Sequence, residues 1–584
     1  MKIRPNSTVP AEHSASDPIA AMNMLPLKTM RHVLARSGFG ASAFSMLTMM
    51  NDWSLHMSVA TDKQIDLARK LQNQWAAWLE FVVAGCPDDD EKRPILPGRH
   101  DRRFEHPGWS KPPFSALEQA FLLTEDYWDS ATSDIPGLSK THDKAMTFAV
   151  RQILDSMAPS NFVATNPEIL EHTIEEKGAN LARGGLKALT DAQDMRDHKK
   201  PSSEFVVGRH LAATPGRVVY RNHLIELIQY KPATKKVRPE PVLIVPAWIM
   251  KYYILDLSPE NSLVRFLTEQ GFTVFMISWR NPDAADRALG MDDYLREGPL
   301  NAIDHIAAQT GAEKIHAAGY CLGGTLLSIA AAAMARDEDE RLASVTLFAA
   351  QTDFSEAGEL TLFIDESQVS FLESLMDEQG FLSAEQMMSA FQMIRSNDLV
   401  WSRMIRSYLL GEDSAPPNDL MAWNADGTRM PANMHSQYLR HMFLNNDLAR
   451  GNYQVNGSPV SLRDIRVPIF CVGTETDHIA PWKSVFKIHA LTHSDVTFAL
   501  TNGGHNAGVV SEPGHRHRHF RIRTSHDRDR YLGPDDWQEQ ADLKKGSWWP
   551  AWVEWLEQVS GEPCPPPKLG KSLGAAPGTY VLME

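Results

Sequence analysis

The sequence predicts an α/β unit preceded by a mostly helical one, and three observations carry that prediction. From about residue 203, short β patterns appear around Val206, Val218, 224–230, 242–245 and 273–277, and later alternate with helical stretches. Such alternation marks a mainly parallel sheet covered by helices. Before it, apolar residues recur at near-helical spacing: Ile65, Leu67, Leu71, Trp75, Trp78, Leu79 and Val82, then Phe148, Ile153, Leu154 and Met157. At 584 residues the chain also exceeds one ordinary domain.

Taken in order, residues 1–26 are polar, proline-bearing and without a period, and read as disordered. Residues 27–202 form the helical unit, interrupted at 86–108 by an acidic, proline-bearing stretch that reads as a loop. Residues 203–584 form the α/β unit. Within it, the strand ending near Phe348 and the one starting near Val467 are too far apart for a simple crossover. An inserted cap over about 350–465 is expected, with 361–382 and 387–410 as its helical, aromatic material. The run Trp548-Trp549-Pro550-Ala551-Trp552-Val553-Glu554-Trp555 reads as an aromatic helix start packed against the sheet. Contact with an apolar ligand or surface is the alternative for that cluster.

The chemistry concentrates in Gly319-Tyr320-Cys321-Leu322-Gly323-Gly324. Uncharged residues 315–318 suit a strand before it, and the Ala/Leu-rich run 325–335 suits a helix after it. Strand, glycine-flanked nucleophile and helix make the nucleophile elbow of α/β-hydrolases, with cysteine for serine. A side chain two positions either side of the nucleophile would collide with its neighbours. The Leu322 N–H, at a helix start, is the expected oxyanion donor. Residues 315–335 nearly meet the length rule for a membrane helix. The three glycines and His316 break that run, and a buried strand–turn–helix explains it better.

An elbow nucleophile needs a base and an orienting carboxylate, which follow it in the order acid, then histidine. Residues 467–473 and 496–500 read as successive buried strands. Asp477 and His505 fall just past their ends, the face where open α/β sheets bind ligands. His478 competes as base and reads as a neighbour lining the site; Asp353 and Glu475 are weaker rivals for the acid.

A formal charge of −15 argues against general nucleic-acid binding. The four cysteines, Cys86, Cys321, Cys471 and Cys564, are scattered without a CxxC pair, which fits a reducing compartment and no zinc or disulfide framework. The first thirty residues hold no continuous apolar run, so a cytosolic location is the default. The tract His515-Arg516-His517-Arg518-His519-Phe520-Arg521-Ile522-Arg523 is basic; it reads as a solvated loop, with metal or phosphate contact as minor alternatives.

Several longer motifs accompany the elbow: Pro159-Ser160-Asn161-Phe162, Thr165-Asn166-Pro167-Glu168, and Lys251-Tyr252-Tyr253-Ile254-Leu255-Asp256-Leu257. Others are Ser278-Trp279-Arg280-Asn281-Pro282, Asn397-Asp398-Leu399-Val400-Trp401, Trp423-Asn424-Ala425-Asp426 and Asp477-His478-Ile479-Ala480-Pro481-Trp482. With these the chain resembles the class I polyhydroxyalkanoate (poly-3-hydroxybutyrate) synthases from roughly Phe104 to the tryptophan cluster. The resemblance implies an α/β-hydrolase fold with an inserted cap, preceded by a mostly helical domain. The family's nucleophile, acid and base map onto Cys321, Asp477 and His505, the three that position alone selected. Residues 245–251 resemble the family's V-P-P-C-I-N-K loop but differ at Ala247, Trp248 and Met250. That loop often supplies the second oxyanion N–H, here Ala247, and a bulky Trp248 would reshape an acyl pocket. Trp248, Tyr320, Trp423 and His478 are the expected substrate-contacting residues.

The implied activity is polymerisation of (R)-3-hydroxyacyl-CoA to a polyester with release of CoA. A thiol nucleophile suits it, since a thioester is exchanged for a thioester with little loss of driving force, and His505 would generate the thiolate. Asp477 orients His505 or helps activate the attacking hydroxyl, and the sequence leaves both open. No metal, cofactor or transmembrane segment is implied. Partners implied by the resemblance are the growing chain, the polymer granule surface and a second copy of the chain in a homodimer. Two readings compete: an acyl-CoA thioesterase or esterase of the same fold, and a catalytically silent granule-binding protein.

Overall fold

The computed structural model describes residues 42–98, 101–196, 204–394, 401–412 and 418–584. The expected disorder of 1–26 and the motif residues 397–400 lie outside the described residues.

The helical unit comprises α1 (Ala43–Val59), α2 (Thr61–Val83), α3 (Phe114–Thr132), α4 (Lys140–Met157), α5 (Pro167–Glu175) and α6 (Ala179–Arg196). A small core of its own joins Phe104, Trp109, Phe121, Leu122 and Ala158, with Trp109 edge-on to Phe104 at 4.9 Å. The motif asparagines work structurally here. The Asn161 amide donates to the Asp155 carbonyl at 2.7 Å, and Asn166 caps α5 through the Glu168 N–H at 2.9 Å. The apolar spacing of α2 does specify a helix, but Ile65, Leu71, Trp75 and Leu79 are exposed; Leu67 and Phe81 are the buried side chains.

Among the described residues the sheet holds eleven strands. In chain order they are β1 (Gly216–Arg221), β2 (Ile225–Tyr230), β3 (Val242–Val245), β4 (Val274–Trp279), β5 (Ile315–Tyr320) and β6 (Leu342–Phe348). Then follow β7 (Ile469–Thr474), β8 (Val496–Thr501), β9 (His519–Ser525), β10 (Asp542–Lys545) and β11 (Gly574–Ala575). Their spatial order is β10-β9-β8-β7-β6-β5-β3-β4-β2-β1-β11. The strands from β4 to β8 pair in parallel, and the outer strands are antiparallel. Strands β3, β4, β5, β7 and β8 are buried along their whole length, as expected for parallel strands covered on both faces.

Two sequence expectations differ from the structure. Val206 belongs to a turn closed by a Val207–Leu211 bridge, not to a strand. The basic tract is only partly loop: from His519 it forms β9, because alternation turns Phe520 and Ile522 toward the core while its cations remain partly accessible.

Between β6 and β7 lies the cap material: α7 (Glu366–Gln379), α8 (Ala384–Ile394), α9 (Asp419–Asn424) and α10 (Ala432–Tyr438). Residues 361–382 are not one helix. A 3₁₀ turn precedes α7, and Gly380 in the left-handed region ends it. Phe381–Leu382 then pairs with Met430–Pro431. The tryptophan run opens α11 (Trp549–Gln558) and packs inward, with Trp548, Trp549 and Trp552 all buried.

Candidate active site

Register brings four loops to one edge of the sheet. Val245 lies opposite Gly319, Tyr320 opposite Phe348, and Thr474 opposite Thr501. The turns after β3, β5, β7 and β8 therefore meet, and these carry Ala247, Cys321, Asp477 and His505.

Cys321 adopts φ 52°, ψ −124°, a strained conformation for a side-chain-bearing residue, costing about 1–3 kcal/mol. The helix Leu322–Arg336 starts immediately after it. A Cβ on Gly319 would lie 2.4 Å from the Gly324 Cα, and one on Gly323 would lie 2.1 Å from the Val245 carbonyl oxygen and 2.5 Å from that of Pro246. The elbow thus presses against the loop after β3, and Leu322 contributes the first helical N–H, which no earlier turn can accept.

His505 Nδ1 is 2.8 Å from Asp477 Oδ2, and Cys321 is near enough to the ring to influence its protonation. Asp477 is saturated: Oδ2 accepts from the Thr474 hydroxyl at 2.9 Å, and Oδ1 from the N–H groups of Ile479 and Ala480 at 2.9 and 2.8 Å. Burial works against the Asp477 carboxylate, but the charge and hydrogen bond of His505, with the other donors, hold its pKa below the usual value. Burial likewise disfavours protonated His505, yet Asp477 and Cys321 together hold its pKa well above that of free histidine.

The rival acids are occupied elsewhere. Asp353 pairs with Lys487 at 3.5 Å, and Glu475 lies 3.8 Å from His519. The His478 carbonyl accepts from Glu359 N–H at 3.4 Å, bracing the cap; His505, not His478, bridges Asp477 and Cys321.

Tyr320 is buried with its ring 5.6 Å from that of His505, and its hydroxyl donates to Asn506 Oδ1 at 2.6 Å. Asn506 in turn donates to Asn424 Oδ1 at 3.2 Å, tying the histidine loop to the cap. The Trp423 indole donates to the Lys251 carbonyl at 2.7 Å, so it too joins cap to loop. Trp248 is buried between Tyr294 and Tyr438, with ring centroids 5.7 and 6.1 Å away. Its indole N–H finds no acceptor among the described residues.

Tyr438 was not singled out by sequence reasoning, and nothing local distinguishes it there. Burial raises its hydroxyl pKa well above the ordinary value, and its nearness to Cys321 adds to that. Sequence reasoning also missed the supports of the histidine loop. The indole N–H groups of Trp548 and Trp549 donate to the Gly508 and Val509 carbonyls at 3.0 Å each. Arg518 grips the Asn502 and Ala507 carbonyls. Cys471 is an interior thiol whose pKa burial pushes up. Among the described residues no group of three His, Cys, Asp or Glu could hold a metal, and no helix is long and apolar enough to cross a membrane.

A buried cysteine, histidine and carboxylate on and beside a strained elbow are compatible with any acyl transfer, so relatives narrow the reading. Residues 100–267 match the family model described as the N-terminus of poly-beta-hydroxybutyrate polymerase (PhaC), and residues 240–511 match that of the alpha/beta hydrolase fold. A poly(3-hydroxyalkanoate) polymerase of Methylorubrum extorquens is 40% identical over 93% of this chain and 91% of its own length. The chain belongs to the poly(3-hydroxyalkanoate) polymerase family. A PhaC polymerase subunit of Rhizobium meliloti is 38% identical over 90% of this chain and 85% of its own. That of Cupriavidus necator is 37% identical over 82% of this chain and 83% of its own. Membership makes the chain an enzyme of the polymerase type on an α/β-hydrolase fold.

Proposed function

We propose that the protein polymerises (R)-3-hydroxyacyl-CoA into polyester and releases CoA, through an acyl intermediate on Cys321. The observation that carries this reading is the Asp477–His505 pair, 2.8 Å apart, aimed at a cysteine on the elbow. The thiol proton resides on His505 as Sγ attacks the thioester carbonyl. The C–S bond to CoA breaks, the proton passes to the leaving thiolate, and a new thioester remains on Cys321. The hydroxyl of another hydroxyacyl unit then attacks that thioester, losing its proton to His505. An ester forms and the Cys321 thiol is restored.

Both steps pass through an oxyanion, which the N–H groups of Leu322 and Ala247 stabilise. Asp477, with all its other acceptor positions filled, orients His505 and supports its charged form. Trp248, with an unmet buried donor, and Tyr438 wall the acyl pocket. Tyr320 and Trp423 hold the loops on either side of it. Burial of Cys321 and His505 to 9% and 8% exposure keeps water from the acyl-enzyme.

Location at cytoplasmic polymer granules and a homodimer belong to the same proposal. The exposed apolar residues Leu71, Trp75, Leu79 and Val83 of α2 favour contact with an apolar surface.

The test is CoA release from (R)-3-hydroxybutyryl-CoA by the wild type and by Cys321→Ala, with the acyl product identified. Cys321-dependent release with insoluble polyester supports the proposal. Free hydroxy acid alone would make the protein a thioesterase. No release, with longer acyl-CoAs also tried, would leave a silent granule protein.

A further inference from the structure

We propose that residues 574–584 are a strap that positions the active-site loop 246–251. The inference rests on the reading of Ala247 as an oxyanion donor. The strap begins as β11, whose Gly574 and Ala575 pair with Val218 and Arg217 of β1. It is then clasped by Glu226, a fully buried carboxylate on β2. Glu226 Oε2 accepts from the N–H groups of Thr579 and Tyr580 at 2.8 and 2.9 Å, and Oε1 accepts from the Thr579 hydroxyl at 2.8 Å. Arg221 pairs with the same carboxylate at 2.9 Å. Gly578 permits this approach: its φ is +86° and a Cβ there would lie 2.3 Å from Glu226 Oε2.

Beyond the clasp, the Tyr580 hydroxyl donates to the Asn222 carbonyl at 2.7 Å, and Val581 is buried. The Met583 carbonyl then accepts from Lys251 Nζ at 2.6 Å and from the Asn281 amide at 3.4 Å. The main-chain oxygen of Glu584 accepts from Arg429 at 3.2 Å.

Lys251 ends the loop that carries Ala247, and Arg429 lies in the cap. The cap grips the same loop directly: Lys251 N–H donates to the Asp426 carbonyl at 3.3 Å, and Thr428 N–H to that of Ile249 at 3.1 Å. Asn281 closes the junction, its Oδ1 accepting from Arg429 N–H at 2.9 Å. Strap, loop and cap thus converge on Lys251, which is 4% exposed. A buried ammonium is costly unless its donors are met, so Met583 and Lys251 hold one another in register. Ala247 is four residues from Lys251, and the Pro246 carbonyl just before it would lie 2.5 Å from a Cβ on Gly323 of the elbow. Its N–H can stabilise an oxyanion only if the loop is held to fractions of an ångström.

Two variants of the full chain test this, Gly578→Ala at the clasp and Lys251→Met at the loop; the second leaves the clasp intact should the first fail to fold. Hydrogen exchange over 246–255 rises about tenfold or more in each, while peptides over 319–326 exchange as in wild type. With (R)-3-hydroxybutyryl-CoA, kcat falls about tenfold or more, KM stays within about twofold, and alkylation of Cys321 by iodoacetamide keeps its rate. Wild-type exchange and kcat in both variants would overturn the strap, as would exchange rising equally through β3 and the elbow. A wild type that releases no CoA ends the polymerase reading instead, and the exchange comparison still decides the strap.

Discussion

Asp477 and His505 form a nearly dry ion pair whose two members shift in opposite directions, and the signs set a pH window. His505 has a raised folded-state pKa, so its stabilisation is full below about 6.5, its unfolded value, and is lost as pH rises through the folded value. Asp477 has a depressed one, so its share is full above about 3.9 and is lost as pH falls through its folded value. The pair therefore stabilises most between roughly pH 4 and 6.5. Asp477→Asn removes both shares. The urea stability difference between wild type and this variant is expected to be largest near pH 5.5 and smaller at pH 9. A pH-independent difference would show that the pair is not ionised.

Single elements hold this geometry through contacts distant in sequence. His505 sits on the turn after β8, and that turn is fixed largely from outside by the tryptophans that open α11. Trp552 anchors the same helix to the sheet, its indole donating to Thr346 Oγ1 at 3.0 Å. Trp548→Phe keeps an aromatic ring in the core but removes the 3.0 Å bond to the Gly508 carbonyl. It should cost about 1 kcal/mol in urea unfolding and lower kcat roughly three- to tenfold with little change in KM. Equal stability with unchanged kcat would make the tryptophans mere filling.

At the scale of the molecule, the helical unit reaches the cap. Asn180 of α6 donates to the Leu409 carbonyl at 2.9 Å, and the Tyr408 hydroxyl donates to Asp191 Oδ2 at 2.9 Å. Ser45 of α1 donates to Asp365 at the start of α7, also at 2.9 Å. The closest approach is at Gly184, where a Cβ would stand 1.9 Å from the Tyr408 carbonyl oxygen. Gly184→Ala must push helix and cap apart, at about 1–3 kcal/mol measured by urea unfolding. Because the same cap carries Tyr438 and the Asp426–Thr428 grip on the active-site loop, activity should fall with stability. Full activity in a destabilised variant would show that the helical unit does not steady the cap.

Local pattern was enough for the elbow, for the strands ahead of Asp477 and His505, and for the long insertion, because glycine spacing, apolar runs and loop length are physical demands made within a few residues. It also marked α2 as a helix, but periodicity reports only that one face is apolar, not what covers it, and Leu71, Trp75 and Leu79 lie exposed. Charge misread the tract 515–523, since a strand can hide Phe520 while carrying cations on its open side. Choosing His505 over His478 was a matter of position; only the folded chain sets its ring against both Asp477 and Cys321. Tyr438, the indole clamps of Trp548 and Trp549, and the Lys251–Met583 contact left no trace in the sequence. Each joins residues tens to hundreds of positions apart, and such contacts exist only once sheet register and cap packing have brought their backbones together. The sequence by itself determined which chemistry-bearing groups this protein carries and on what kind of turn; tertiary structure alone decided which of them meet, because hydrogen bonds act over about 3 Å and only packing sets distances that short.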